Sequence, residues 1–159
     1  MGERTHAALG APDLALCGFQ LWVHGYAFDG PAETWLRVTA HCGANTASVW
    51  ASGILLETTD IAHFRNGLSA VHETLAGRAT LDSLELNIRL TVAATDNAGH
   101  LGVRAELTPV PHSQGHWFEF QADQSYLPAV LAQCDAIVAR VPIREWRSGT
   151  ANTFGTGQL

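Results

Sequence analysis

Residues 47–77 read ASVWASGILLETTDIAHFRNGLSAVHETLAG, and the period of the apolar positions changes midway through them. Up to Leu55 the side chains alternate, with Val49 and Ala51 on one side and Ser48, Trp50 and Ser52 on the other, the signature of a half-buried strand. From Thr58 onward Ile61, Phe64, Leu68, Val71 and Leu75 recur at three- and four-residue spacing. That is the stripe of an amphipathic helix about five turns long. Thr59 or Asp60 is placed to cap it, and Gly77 to stop it.

On both sides of this junction the two-residue period dominates. Leu14 to Val23 sets Cys17, Phe19, Leu21 and Val23 against Gln20, Trp22 and His24. After a turn at Gly25 to Pro31, Trp35 to Cys42 sets Leu36, Val38, Ala40 and Cys42 against Trp35, Arg37, Thr39 and His41. Gly43-Ala44-Asn45 turns the chain into the strand that precedes the helix. Beyond the helix, Ala79 to Leu84 reads as a strand, and Leu86, Ile88, Leu90 and Val92 continue the alternation to the turn Asp96-Asn97-Ala98-Gly99. Leu101, Val103, Ala105 and Leu107 return from it, and the loop Pro109 to Gly115 leads to a strand with Phe118, Phe120 and Ala122 inside and Trp117, Glu119 and Gln121 outside. Asp123 or Ser125 then caps a helix that has Pro128 in its first turn and Tyr126, Val130, Cys134, Ile137 and Val141 as its buried stripe.

The order is βββ-α-ββββ-α with hairpin-length connections. It predicts an α+β fold, an antiparallel, meander-like β-sheet of about seven strands with two amphipathic helices packed on its apolar face. Residues 14–142 are expected to form a single domain, with a flexible N-terminal tail at 1–13 and a C-terminal tail at 143–159. A chain of 159 residues, 47% of them apolar, is long enough to bury a sizeable core.

Charge and cysteine usage narrow the function. The net charge is −6 and all nine basic residues are arginine, three of them (Arg140, Arg144 and Arg147) near the C-terminus. That balance argues against nucleic acid as a partner and suits a basic protein. The apolar run Leu14 to Val23 is interrupted by Gly18 and Gln20, is too short to span a bilayer and lacks the flanks of a signal peptide, so a cytoplasmic, non-membrane protein is expected. Cys17, Cys42 and Cys134 are odd in number and sit in apolar patterns, which predicts reduced core thiols.

No complete catalytic or metal motif is present. His72-Glu73-Thr74-Leu75-Ala76 begins like a zinc helix but carries Ala76 where the second histidine belongs. His112 and His116 flank a loop with no further ligand pair. Gly67-Leu68-Ser69-Ala70-Val71 lacks the final glycine of a nucleophile elbow and falls within the helix. The expectation is a non-enzymatic protein with no cofactor and no metal.

The tryptophans stand out from this background. Trp22, Trp35, Trp50 and Trp117 all fall at polar parity on their strands. With Arg37, His41 and Glu119 they compose a candidate binding face of the kind enriched at interface hot spots. Two alternatives stay open. A tail, a second sheet or a homodimer can cover these rings, and His24, His41 and Arg37 can instead serve a small-molecule site or a cryptic enzyme.

Three stretches carry a resemblance. Thr58-Thr59-Asp60-Ile61-Ala62-His63-Phe64, Gly77-Arg78-Ala79-Thr80-Leu81 and Phe118-Glu119-Phe120-Gln121-Ala122-Asp123-Gln124-Ser125-Tyr126-Leu127-Pro128 resemble the WapI-like small bacterial immunity proteins and their uncharacterised relatives. The likeness runs from Trp35 to Pro142. It implies a cytoplasmic protein that binds and neutralises the toxic C-terminal domain of a contact-dependent toxin, a nuclease in the namesake system; the acidity of the chain suits a basic toxin domain, and a monomer or homodimer is expected. The resemblance brings no catalytic residue with it.

Overall fold

The computed structural model describes residues 7–145. Eight antiparallel strands form two four-stranded meanders, β1-β2-β3-β4 and β5-β6-β7-β8, with one helix after each. The first sheet contains β1 (Leu14–Leu16), β2 (Phe19–Tyr26), β3 (Trp35–Ala44) and β4 (Ala47–Glu57), and α1 (Thr58–Thr74) follows without a break. The second contains β5 (Arg78–Asp82), β6 (Ile88–Ala94), β7 (His100–Leu107) and β8 (Trp117–Asp123), and α2 (Leu127–Arg140) closes the fold. The fold is α+β as expected. The strands divide into two sheets because β4 and β5 do not pair, and side-chain alternation marks which face is wet without naming a strand's neighbour.

The change of period at Thr58 is a capped junction. Glu57 is the N-cap, its backbone N–H donates to the Asp60 carboxylate at 2.8 Å, and its own side chain accepts from the first turn in a reciprocal capping box. The stripe Ile61, Phe64, Leu68 and Val71 is buried, and Leu75 in a left-handed conformation ends the helix ahead of Gly77. Gly67 lets α1 lie close on β5, since a Cβ there would approach that of Ala79 to 3.0 Å.

One apolar core joins both sheets and both helices, with Phe19, Leu36, Phe64, Leu81 and Leu90 fully enclosed. Burying each such side chain contributes on the order of 1.5–3 kcal/mol. Thr58 lies inside this core and donates its hydroxyl to the Val141 carbonyl at 2.9 Å, tying the start of α1 to the end of α2. The Ala15 backbone N–H donates to Gln133 of α2, and Arg140 reaches both the Val23 carbonyl and the Asp13 carboxylate. Past α2, Tyr26 donates its hydroxyl to the Pro142 carbonyl, while the Arg144 guanidinium lies 3.5 Å from the Tyr26 ring centroid. Residues 146–159 of the expected C-terminal tail, Arg147 among them, lie outside the described residues.

Four local expectations are corrected. Leu14 to Val23 is two strands, because the chain reverses at Cys17-Gly18 with Cys17 at φ 53, and this turn leaves Cys17 exposed instead of in the core. Leu84 and Leu86 are not strand residues: Ser83 to Asn87 is the β5–β6 turn, and both leucines face solvent. Tyr126 drops out of the α2 stripe because Gln124–Tyr126 is a 3-10 turn, whose tighter winding rotates it outward. Phe118 and Phe120 are half-buried, since β8 is an edge strand.

Candidate functional site

Two outer faces hold the residues singled out from the sequence. On the first sheet, cross-strand register aligns Gln20, His41 and Trp50 in one row and Trp22, Thr39 and Ser52 in the next. Side chains directly opposite or diagonal across antiparallel strands are within reach of each other. Accordingly Trp22 and Trp50 stack at 5.7 Å with 21° between planes, and His41 lies 4.2 Å from Trp50. The polar groups between them form a ladder. His41 Nδ1 meets Gln20 Oε1 at 3.1 Å and its Nε2 meets Ser48 Oγ at 2.8 Å, while Thr39 Oγ1 joins His24 Nε2 at 2.9 Å and Ser52 Oγ at 3.0 Å.

This face is partly covered. Trp22 is only 7% exposed, and its indole N–H donates to the Gly10 carbonyl at 3.1 Å, so the segment before β1 lies over it. Trp35, at the start of β3 opposite Glu57, is half-buried, and Arg37 is exposed beside the β3 register shift. The structure thus gathers Trp22, His41 and Trp50 into one stack and engages the ring nitrogens of His41 within the sheet.

Trp117 and Glu119 stand on the other sheet. Its outer face carries the rows Asp82–Arg89–Glu106–Trp117 and Thr80–Thr91–Arg104–Glu119. Arg104, absent from the sequence-based candidates, organises this face. It sits 4.6 Å from the Trp117 ring centroid, donates to Glu119 at 2.9 Å and approaches Glu106 at 3.6 Å. Arg89 pairs with Asp82 through two donors at 3.1 and 3.2 Å. These pairs are solvent-exposed, so each stabilises the fold by about 0–1 kcal/mol and acts mainly to fix side-chain positions. Beside them a hollow of about 280 Å³ runs over Ala93, Gly102 and Gln121 between Thr91, Arg104 and Glu119.

The titratable groups offer little chemistry. Burial pushes the Cys42 thiol up to about 11 and the Cys134 thiol up to about 12, so neither is a thiolate at neutral pH. Burial also raises Asp60, reinforced by the neighbouring charges of Glu57 and Asp82. Among the described residues no three His, Cys, Asp or Glu side chains converge on a metal-sized site. Among them, too, no helix is long and apolar enough to cross a membrane.

The sequence overlooked Arg104, Leu84 and Leu86 for different reasons. Arg104 is one exposed charge among many until register sets it beside Trp117. The turn residues Asp82, Ser83 and Asn87 around Leu84 and Leu86 were the available signal that these leucines leave the strand.

A family model described as Immunity protein WapI-like family matches residues 15–142. No curated protein and no solved structure matches the chain.

Proposed function

The chain belongs to the WapI-like immunity protein family, and from that premise we propose that it is a non-enzymatic inhibitor that binds and neutralises a cognate bacterial toxin domain in the cytoplasm. The match over residues 15–142 carries this reading, because it spans both sheets and both helices. The net charge of −6 supports it. A toxin that acts on nucleic acid must present positive charge to its substrate, and an acidic inhibitor is steered to that charge over long range.

The candidate contact residues divide between the two faces. Trp22, Trp35, Arg37, His41 and Trp50 belong to the first sheet, Trp117 and Glu119 to the second. Trp117 combines the highest exposure of any described tryptophan, at 58%, with a guanidinium fixed against its ring, and Trp and Arg are the commonest interface anchors. The exposed second-sheet face is therefore the better supported contact surface.

The test is protection. Candidate toxin domains from the source genome are expressed with and without this chain, and one of them should cease to arrest growth when the chain is present at equal dose. Its association rate should fall by about tenfold or more between low and moderate salt. Failure to protect against any of them, or an association indifferent to salt, counts against the proposal.

A further inference from the structure

We propose that the basic toxin domain docks on one end of the second sheet, where the β5–β6 and β7–β8 turns meet, with Leu84, Leu86 and Trp117 as its apolar anchors. The inference rests on the toxin-neutralising reading and adds the surface and the chemistry of the contact.

Exposed apolar surface is concentrated here. Among the described residues seven large hydrophobics are exposed, and four of them, Leu84 at 74%, Leu86 at 58%, Val110 at 50% and Trp117 at 58%, belong to this end. Several contacts bring them together. The Thr108 backbone N–H donates to the Asn87 carbonyl at 2.9 Å, and the Asn87 side chain donates back to the Thr108 carbonyl at 2.9 Å, which locks the two turns to each other two residues before Val110. Leu86 shares a hollow with Arg89 and Glu106, and Glu106 is the register partner of Trp117.

The leucines are held outward. Leu86 N–H donates to the Ser83 carbonyl at 3.1 Å, and the buried Ser83 hydroxyl accepts from the backbone of Asn87 and Ile88, each at 3.1 Å. Leu86 itself adopts φ 61, a conformation that bulky apolar L side chains seldom take and that Asn or Gly takes readily. Neither leucine belongs to the core. A rigid, pre-positioned apolar pair binds with less ordering cost than a mobile one.

Charge selects the partner. A second hollow, of about 350 Å³, is lined by Glu57, Asp60 and Asp82 together with Ser83, Leu84 and Leu86. Asp82 is paired with Arg89, but among the described residues no arginine comes within ion-pair distance of Glu57, Asp60 or Glu85. Burial raises Asp60, and the neighbouring charges of Glu57 and Asp82 add to that shift. An Arg or Lys side chain entering this hollow meets carboxylates while its apolar neighbours meet the leucines, which is the surface chemistry of a basic protein domain.

Two arms test this on the full chain, using L84S/L86N/W117S against F28S/Y126S, which removes exposed apolar rings elsewhere. In the first, the ¹⁵N-labelled protein is titrated with a synthetic peptide of alternating Leu and Arg. Shift changes should concentrate at residues 82–88 and 104–117 and disappear in the triple variant. Changes elsewhere, or none, overturn the surface. In the second, the toxin domain from which the wild type protects is titrated, and the triple variant should bind about thirtyfold or more weakly while the control stays within about twofold. Equal binding by the triple variant overturns the docking surface while leaving the immunity function intact. A wild type that protects against nothing, with peptide shifts at the tip, overturns the function and keeps the surface. Unchanged thermal unfolding of both variants excludes misfolding as the cause.

Discussion

Gly18→Ala tests how tightly the two sheets are locked. Gly18 lies in the β1–β2 turn, where a Cβ would stand 2.1 Å from the Gly43 carbonyl oxygen and 2.7 Å from Cζ of Phe120 on β8. The first neighbour is backbone of the same sheet and the second a side chain of the other sheet, so relief requires the β1–β2 turn to move off β3 and the Phe120 ring to shift. The same movement strains the hydrogen bond from Gly43 N–H to the Gly18 carbonyl, 3.1 Å long. Overpacking costs about 1–3 kcal/mol and loss of a backbone hydrogen bond about 1 kcal/mol, giving roughly 2–4 kcal/mol in total. For a chain of this length that corresponds to a fall in Tm of roughly 5–15 °C. Differential scanning calorimetry measures it directly, with Gly30→Ala as control, because a Cβ at Gly30 meets nothing within 4 Å. Gly18→Ala within about 0.5 kcal/mol of the wild type would refute the close packing of this turn against Gly43 and Phe120.

Three further outcomes follow from single groups. Thr58→Val should destabilise by about 1–3 kcal/mol in urea unfolding, because the Val141 carbonyl loses its buried donor, and an unchanged midpoint would show that carbonyl satisfied elsewhere. A thiol reagent at neutral pH should titrate Cys17 alone in the native protein and all three cysteines after unfolding, since Cys17 is exposed whereas Cys42 and Cys134 are buried; more than one fast thiol contradicts this. Asp96 is held below the usual carboxylate range by the His100 side chain and the Ala98 N–H, so its contribution is complete above about pH 4 and is lost as the pH falls through its folded value. Asp96→Ala should therefore flatten the acid limb of a Tm–pH curve, whereas an equally steep acid limb would assign that limb to other groups.

Much of this architecture was legible because burial imprints a period. The stripe from Ile61 to Val71 and the inward positions of β3, β6 and β7 are buried as their spacing implied. What escaped was whatever depends on pairing between distant segments. Nothing in the strands themselves reveals that β4 and β5 stay apart, so one sheet was expected where two exist. Leu86 keeps the inward parity of Ile88 and Leu90, and only the turn bonds of Ser83 place it in solvent, whereas Leu84 continues the outward parity of Asp82. Similarly, the tryptophans share polar parity, yet the segment at Gly10 covers Trp22 while Trp117 stays open. Parity identifies the outer face, and tertiary contacts decide which part of it meets water.

The central claim is that this chain neutralises a toxin domain by stoichiometric binding. Titrating the purified chain into the active toxin domain from which it protects cells measures this most directly. Residual toxin activity should fall in proportion to added protein and reach zero near equimolar ratio, at low salt more readily than at high. Inhibition complete at a small fraction of one equivalent would instead mean that the chain inactivates its target by turnover, and no inhibition at several equivalents would contradict the immunity function itself.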